Sequence, residues 1–228
     1  MRCNLTEKGP LKLVLFDLDN TLLAGDSDYA WAQFLIEEGV LDRDTYEARN
    51  QFYYDHYKTG TLDIFEYLAF QSAPLVNRSR TELDQWRSRF MERKIKPMIL
   101  PKARDLIATH GDALMAIITA TNRFITEPIA KELEVANLIA CELEQLNGQF
   151  TGKGTGIPSF REGKIQRLDL WLAEQDKTLG NFSHSYFYGD SLNDLPLLEL
   201  VTHPVAVDPD PTLRSHAEKR GWPVISLR

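Results

Sequence analysis

The sequence predicts an α/β protein: a mainly parallel sheet covered by helices on both faces, with an all-helical unit inserted after the first strand. Three observations carry this. An apolar run near the amino terminus, "KLVLF", stops abruptly at Asp17. From about Asp26 to Lys96 the pattern is helical throughout, with no strand between. After Pro97 and Pro101, apolar runs and helical patterns alternate as far as "PVAV". The expected division is an α/β core of residues 1–24 and 97–228 and a helical unit of residues 25–96.

The first run, about Leu11 to Phe16, is near-continuously apolar, as suits a strand buried on both faces of a parallel sheet. Four helical segments follow: "DSDYAWAQFLIEEG", "DRDTYEARNQFYYDHYKTG", "TLDIFEYLAF" and "SRTELDQWRSRFMERKI". Asp, Thr or Ser stand at their starts as N-caps, and Gly39 and Gly60 at stops. The alternation then runs helix "KARDLIATHG", strand "ALMAIIT", helix "ITEPIAKELEV", strand "LIACELE", helix "KIQRLDLWLAEQ", strand "SYFYGD", helix "DLPLLELV" and strand "PVAV". Strand and helix in that order imply right-handed crossovers and parallel pairing. The segment "LNGQFTGKGTGIPSF" breaks the rhythm as a hairpin or loop.

The chain has 228 residues and a formal net charge of -7, which argues against a sequence-independent grip on nucleic acid or an anionic membrane surface. Any phosphate site must therefore be local. The cysteines, Cys3 and Cys141, imply no disulfide framework, so a reducing compartment, the cytoplasm, is the expected location. No stretch approaches the roughly 20 apolar residues of a membrane span. The five histidines are scattered without paired ligand spacing, which disfavours a histidine zinc site.

In an open parallel sheet, ligands bind outside the carboxyl ends of the strands. Three apolar runs end in polar residues: one on Asp17, one on Thr119, one on Gly189 and Asp190. If these strands are central neighbours, Asp17, Asp19, Thr119, Asn122, Asp190, Asn193 and Asp194 meet at one sheet edge. Crowded carboxylates repel one another unless a cation lies between them or one is protonated. Oxygen ligands without His or Cys favour magnesium, often combined with substrate phosphate oxygens.

"DLDNT" after a strand, Thr119 ending the second, Lys164 opening a helix and "GDSLND" ending another strand resemble the four ordered motifs of the haloacid dehalogenase-like superfamily, mostly phosphate-ester hydrolases. The resemblance spans about Leu13 to Val207; the insert, "TATNRFITEPIA" and the "TG" loop before Lys164 look most like the phosphoserine phosphatase branch. It implies a Rossmann-like core with the insert as a cap, and a small phosphorylated metabolite as substrate. It further implies Asp17 as nucleophile, Asp19 as general acid and base, and Thr119 and Lys164 as phosphoryl and charge partners. Magnesium would be held by the Asp17 side chain, the Asp19 backbone carbonyl and Asp190, with Asp194 orienting its waters. Asp26, Arg49, Thr119, Ala120 and Asn193 are the expected substrate contacts, for an ester such as phosphoserine or histidinol phosphate.

Each of these residues has a plainer role open to it. An isolated Asp-x-Asp is usually turn chemistry, and Asp26 equally suits an N-cap. Arg49 could be solvated, the insert's aromatics (Trp31, Phe52, Tyr53, Tyr54, Tyr57) could be core, and Asn193 and Asp194 could also cap the following helix. Asp28 reads as an exposed first-turn acid. The glycines of "GQFTGKGTG" fail the spacing of a nucleotide-phosphate loop. Phosphotransfer from the same aspartyl-phosphate, dehalogenation, and a phosphorylatable receiver-like signalling domain are the alternative activities. Oligomeric state is not legible.

Overall fold

Alternation along the first strand organises the molecule. In β1 (Lys12–Phe16), Leu13 and Leu15 join one apolar cluster and Val14 and Phe16 another, so every residue between Lys12 and Asp17 is buried. The computed structural model describes residues 11–228; residues 1–10, including Cys3 and the start of the expected core, lie outside the described residues.

Around β1 the sheet orders its seven strands β4-β3-β2-β1-β5-β6-β7. Here β2 is Leu114–Asn122, β3 Leu138–Leu146, β4 Gln149–Thr155, β5 His184–Gly189, β6 His203–Val207 and β7 Val224–Ile225. All neighbours are parallel except β3 and β4, the expected hairpin, whose turn places Asn147 and Gly148 at φ 52° and 78°. Asn-Gly tolerates two successive positive φ values, which matches the strands' twist. The strands that carry Asp17, Thr119 and Gly189 at or near their carboxyl ends are therefore central neighbours, although β2 runs past Thr119 to Asn122.

Between β1 and β2 lie α1 (Ser27–Glu37), α2 (Arg43–Thr59), α3 (Ile64–Ser72), α4 (Arg80–Phe90) and, after one wider helical turn, α5 (Lys96–Met98). Asp26, Asp42, Asp63 and Ser79 cap the first four, each accepting a backbone N–H of its helix's first turn. The cap of α3 is thus Asp63, not Thr61. Gly60 closes α2 at φ 71°, in the left-handed region. The crossovers α6 (Pro101–Ala108), α7 (Arg123–Glu132) and α8 (Glu162–Ala173) follow their predicted places.

Two differences stand out. After Asp190 the chain makes a tight turn of Leu192–Asp194 before a short α9 (Leu195–Leu198), because Ser191 and Asp194 cap each other there. Beyond β6 the chain adds α10 (Pro211–Arg220) and β7, neither of which the alternation after Pro101 includes. Its signals are capping signals and not periodicity: Asp210 accepts from Thr212 and Leu213, Pro211 opens it and Gly221 ends it at φ 67°.

The insert does not keep its apolar residues to itself. Trp31, Phe34, Leu68, Leu83, Trp86 and Phe90 are buried in the same cluster as Val14, Phe16, Ile117 and Val207 of the sheet. Helices α8, α9 and α10 cover the opposite face through Leu168, Leu172, Leu198, Leu213 and Ala217. Gly154 of β4 lets α3 approach, since a Cβ there would lie 2.8 Å from a Leu68 methyl. No helix among the described residues is long and apolar enough to cross a membrane.

Phe90 is fully buried, with its ring 5.0 Å from Trp31 and 5.7 Å from Phe34. Phe90→Ala is expected to lower unfolding free energy by about 3–5 kcal/mol, read in a denaturant titration; a loss under about 1 kcal/mol would mean the insert and sheet do not fold as one core.

Candidate active site

Asp17 is the next residue in the odd-numbered series of β1, the series that faces α8. On α8, Lys164 lies one turn inside the helix and is 3% exposed. Its Nζ donates to Asp17 Oδ1 at 2.7 Å and to Asp194 Oδ1 at 2.6 Å. Burial works against its charge, but the two carboxylates outweigh this and hold its pKa above that of an ordinary lysine.

Asp194 is fixed from its other oxygen, which accepts the N–H groups of Asp190 and Ser191 at 3.2 and 3.3 Å. Gly189 permits this, because a Cβ there would lie 2.6 Å from Asp194 Oδ2. Asp17, Asp190 and Asp194 each offer an oxygen within 4.8 Å of the others. Burial first, then the neighbouring carboxylates, push Asp17 and Asp190 well above the usual carboxylate range; Lys164 opposes this. Three converging oxygens with one ammonium among them have the donor set of a hard divalent cation.

Asp19 is held from both oxygens. Oδ1 accepts the Ser27 N–H at 2.6 Å, and Oδ2 accepts the Thr121 hydroxyl at 2.8 Å. Burial raises its pKa, and these donors oppose the rise. Thr119 is buried and donates to Asp19 Oδ2 at 3.5 Å, while its oxygen accepts the Thr121 N–H at 3.1 Å. Thr121 was not foreseen. Its position follows a register irregularity between β2 and β3 at Ile118 to Asn122, which no sequence pattern marks.

Above the acids is a chamber whose walls include Asp17, Asp19, Thr119 and Ala120 from the sheet edge, with Asp26 and Asp28 from α1. Helices α2 and α3 roof it with Asn50, Tyr53, Tyr54, Tyr57, Ile64 and Tyr67. The end of α2 is tied down by three links. Asn193 Nδ2 donates to the Tyr57 carbonyl, the Tyr57 hydroxyl meets Ser191 Oγ, and Arg161 donates to the Gly60 carbonyl at 2.9 Å. Asn193 therefore reaches the insert, and the turn's cap is Ser191 with Asp194.

Asp26 caps α1 through Tyr29 N–H at 2.9 Å and also lines the chamber; burial, then the Asp19 charge, push its carboxyl up to about 7. Arg49 is not brought to the chamber. It is exposed, with its guanidinium 4.8 Å from the Phe70 ring centre. Of the insert's aromatics, Trp31 is core and Phe52 is exposed, whereas Tyr53, Tyr54 and Tyr57 line the chamber.

Asp28 corrects the reading of an exposed helix-start acid: it is 2% exposed and faces inward. Asn122 Nδ2 stands 3.5 Å from its Oδ1, and the Thr121 and Tyr67 hydroxyls lie near enough to oppose the rise in its pKa. Burial, then Asp26 and Asp19, raise its pKa well above the usual value.

A family model described as haloacid dehalogenase-like hydrolase matches residues 14–199. A histidinol-phosphatase of Neisseria meningitidis serogroup C is 45% identical over 220 residues, covering 95% of this chain and 99% of that one. A Bordetella pertussis protein described as of unknown function superposes with TM-score 0.91 at 44% identity, over 96% of this chain and all of the other. A phospho-aspartyl intermediate analogue of phosphoserine phosphatase superposes with TM-score 0.66 at 18% identity, over 96% and 94% of the two chains, a likeness of fold alone.

Two outcomes follow from this geometry. Gly189→Ala displaces Asp194, and metal affinity or turnover should fall by about ten- to a hundredfold with the melting temperature little changed; unaltered titration would contradict the contact. A carboxyl with a raised folded pKa stabilises the fold below its unfolded value of 3.8 and loses that contribution as pH rises through the folded value. Asp28→Asn should therefore be at least as stable as the parent at neutral pH, with the difference in melting temperature growing as pH increases. A difference independent of pH would remove Asp28 as the cause.

Proposed function

The chain belongs to the haloacid dehalogenase-like hydrolases, and on that premise we propose that it hydrolyses a small phosphomonoester through a phosphorylated Asp17, with magnesium held by the acid cluster. The observation that carries the reading is the bridge from Lys164 to Asp17 and Asp194 at the carboxyl ends of β1 and β5. One Asp17 oxygen is engaged by the ammonium, which leaves Oδ2 as the attacking atom.

In the first half-reaction Asp17 Oδ2 forms a bond to phosphorus while the ester P–O bond breaks. Asp19 gives its proton to the departing alkoxide, and burial favours the protonated form this requires. In the second, Asp19 as carboxylate takes a proton from water, the water oxygen bonds to phosphorus, and Asp17 leaves as a carboxylate. Lys164 and Thr119 offset the charge that builds on the phosphoryl oxygens, interactions of a few kcal/mol each in a dry site. Asp17, Asp190 and Asp194, with the Asp19 carbonyl, would hold magnesium, which when bound neutralises phosphate charge. The roof of α2 and α3, tied through Asn193, Ser191 and Arg161, shields these steps from solvent and would act as a cap.

Between the two esters suggested by sequence, histidinol phosphate has the stronger support. The relative bearing that activity in its name pairs with this chain nearly end to end, whereas the likeness to phosphoserine phosphatase structures bears on fold.

Asp17→Asn should keep the fold and lower phosphate release from histidinol phosphate by at least about a thousandfold. Chelation should silence the parent enzyme, and added magnesium should restore it. Near-normal release from Asp17→Asn would sink the phospho-aspartyl route, and turnover unaffected by chelation would sink the metal.

A further inference from the structure

We propose that the chamber beyond the acid cluster recognises a cationic alcohol that carries no carboxylate, and that Asp28 and Asn50 are the groups that select it. The inference rests on the phosphomonoesterase reading above and names the class of leaving group that the site takes.

Charge is the first consideration. The residues lining the chamber include the carboxyls of Asp26 and Asp28 and no lysine, arginine or histidine among the described residues. Lys164 is buried below, committed to Asp17 and Asp194. Arg49, the one guanidinium the sequence offered for a substrate carboxylate, lies outside on Phe70. A second carboxylate brought into this space meets two acids and no counter-charge, a juxtaposition that costs several kcal/mol.

Asp28 is the second. In a buried position that only needed the contact with Asn122 and polar neighbours, an uncharged amide would serve at lower desolvation cost. An acid there becomes favourable when a cation enters and is paired with it. Tyr53 and Tyr67 line the same chamber with their rings 5.5 Å apart, and phenol rings add to the attraction for an ammonium or imidazolium.

Asn50 is the third and independent observation. It is 5% exposed, lines the same chamber, and its side-chain amide has no hydrogen-bond partner among the described residues. With no protein partner, the amide borders the space where a ligand would supply one. An amide both donates and accepts, so it suits a neutral ring nitrogen as well as an N–H.

Binding separates this proposal from the catalytic one, because it needs no turnover. L-histidinol and L-histidine share an amine and an imidazole and differ by an alcohol in place of a carboxylate. In calorimetric titrations of the full chain, histidinol should bind at least about tenfold tighter than histidine. Asp28→Asn and Asn50→Ala should each weaken histidinol at least about tenfold. With histidinol phosphate as substrate, Asp28→Asn should raise KM more than it lowers kcat, without loss of melting temperature. Histidine binding as well as histidinol, no binding of histidinol to the parent, or parent-like histidinol binding by Asp28→Asn would each overturn the proposal; if that variant does not fold, Asn50→Ala decides. Selective binding with no phosphate release would overturn the catalytic reading alone.

Discussion

One ammonium makes the site possible. Asp17, Asp190 and Asp194 are drawn together at the ends of two neighbouring strands, where burial alone would drive their protonation. Lys164, reaching from α8 on the far face, bonds two of them and opposes that protonation. Everything around it serves that arrangement: the apolar face of α8 fixes the lysine, Gly189 makes room for Asp194, and the tight turn at Ser191 aims the second Asp194 oxygen at backbone donors. The acids in turn hold the lysine's charge against its burial.

Burial has a different use in the same chamber. Asp28 and Asp26 have no ammonium to oppose the rise of their pKa values. Such acids weaken the empty fold, and natural sequences retain such sites where function needs the charge. The same chain thus holds lysine-bonded acids that would serve phosphoryl chemistry and unpaired ones where the leaving group would lie. Thr121 joins the two sets, since its one hydroxyl serves Asp19 and lies beside Asp28.

The roof is not an appendage with a core of its own. Trp31, Phe34 and Phe90 pack into the cluster that includes β1 and β2, so α1 and α4 belong energetically to the sheet. What distinguishes α2 is its polar attachment: its carboxyl end is tied by hydrogen bonds through Asn193, Ser191 and Arg161. A segment held by hydrogen bonds over a site otherwise built on apolar packing is suited to move when substrate enters.

Asp17, Thr119 and Asp190 were legible because each follows a run of apolar residues, and a buried strand can end on a polar side chain only where the sheet has an edge for it. Lys164 and Asp194 were legible through their order along the chain. The alternation of strand and helix likewise determined the parallel sheet, since a right-handed crossover leaves few other arrangements. Asp28 and Asn50 were not legible. On a helix, an acid in the first turn is stabilised by the dipole whether it faces water or a chamber, and an asparagine in mid-helix carries no directional signal. Which way each points depended on how α1 and α2 rotate onto the sheet, a choice made by Trp31, Phe34 and Tyr53 in packing. The sequence by itself determined the chemistry of the acid cluster; tertiary packing alone decided what that chemistry faces.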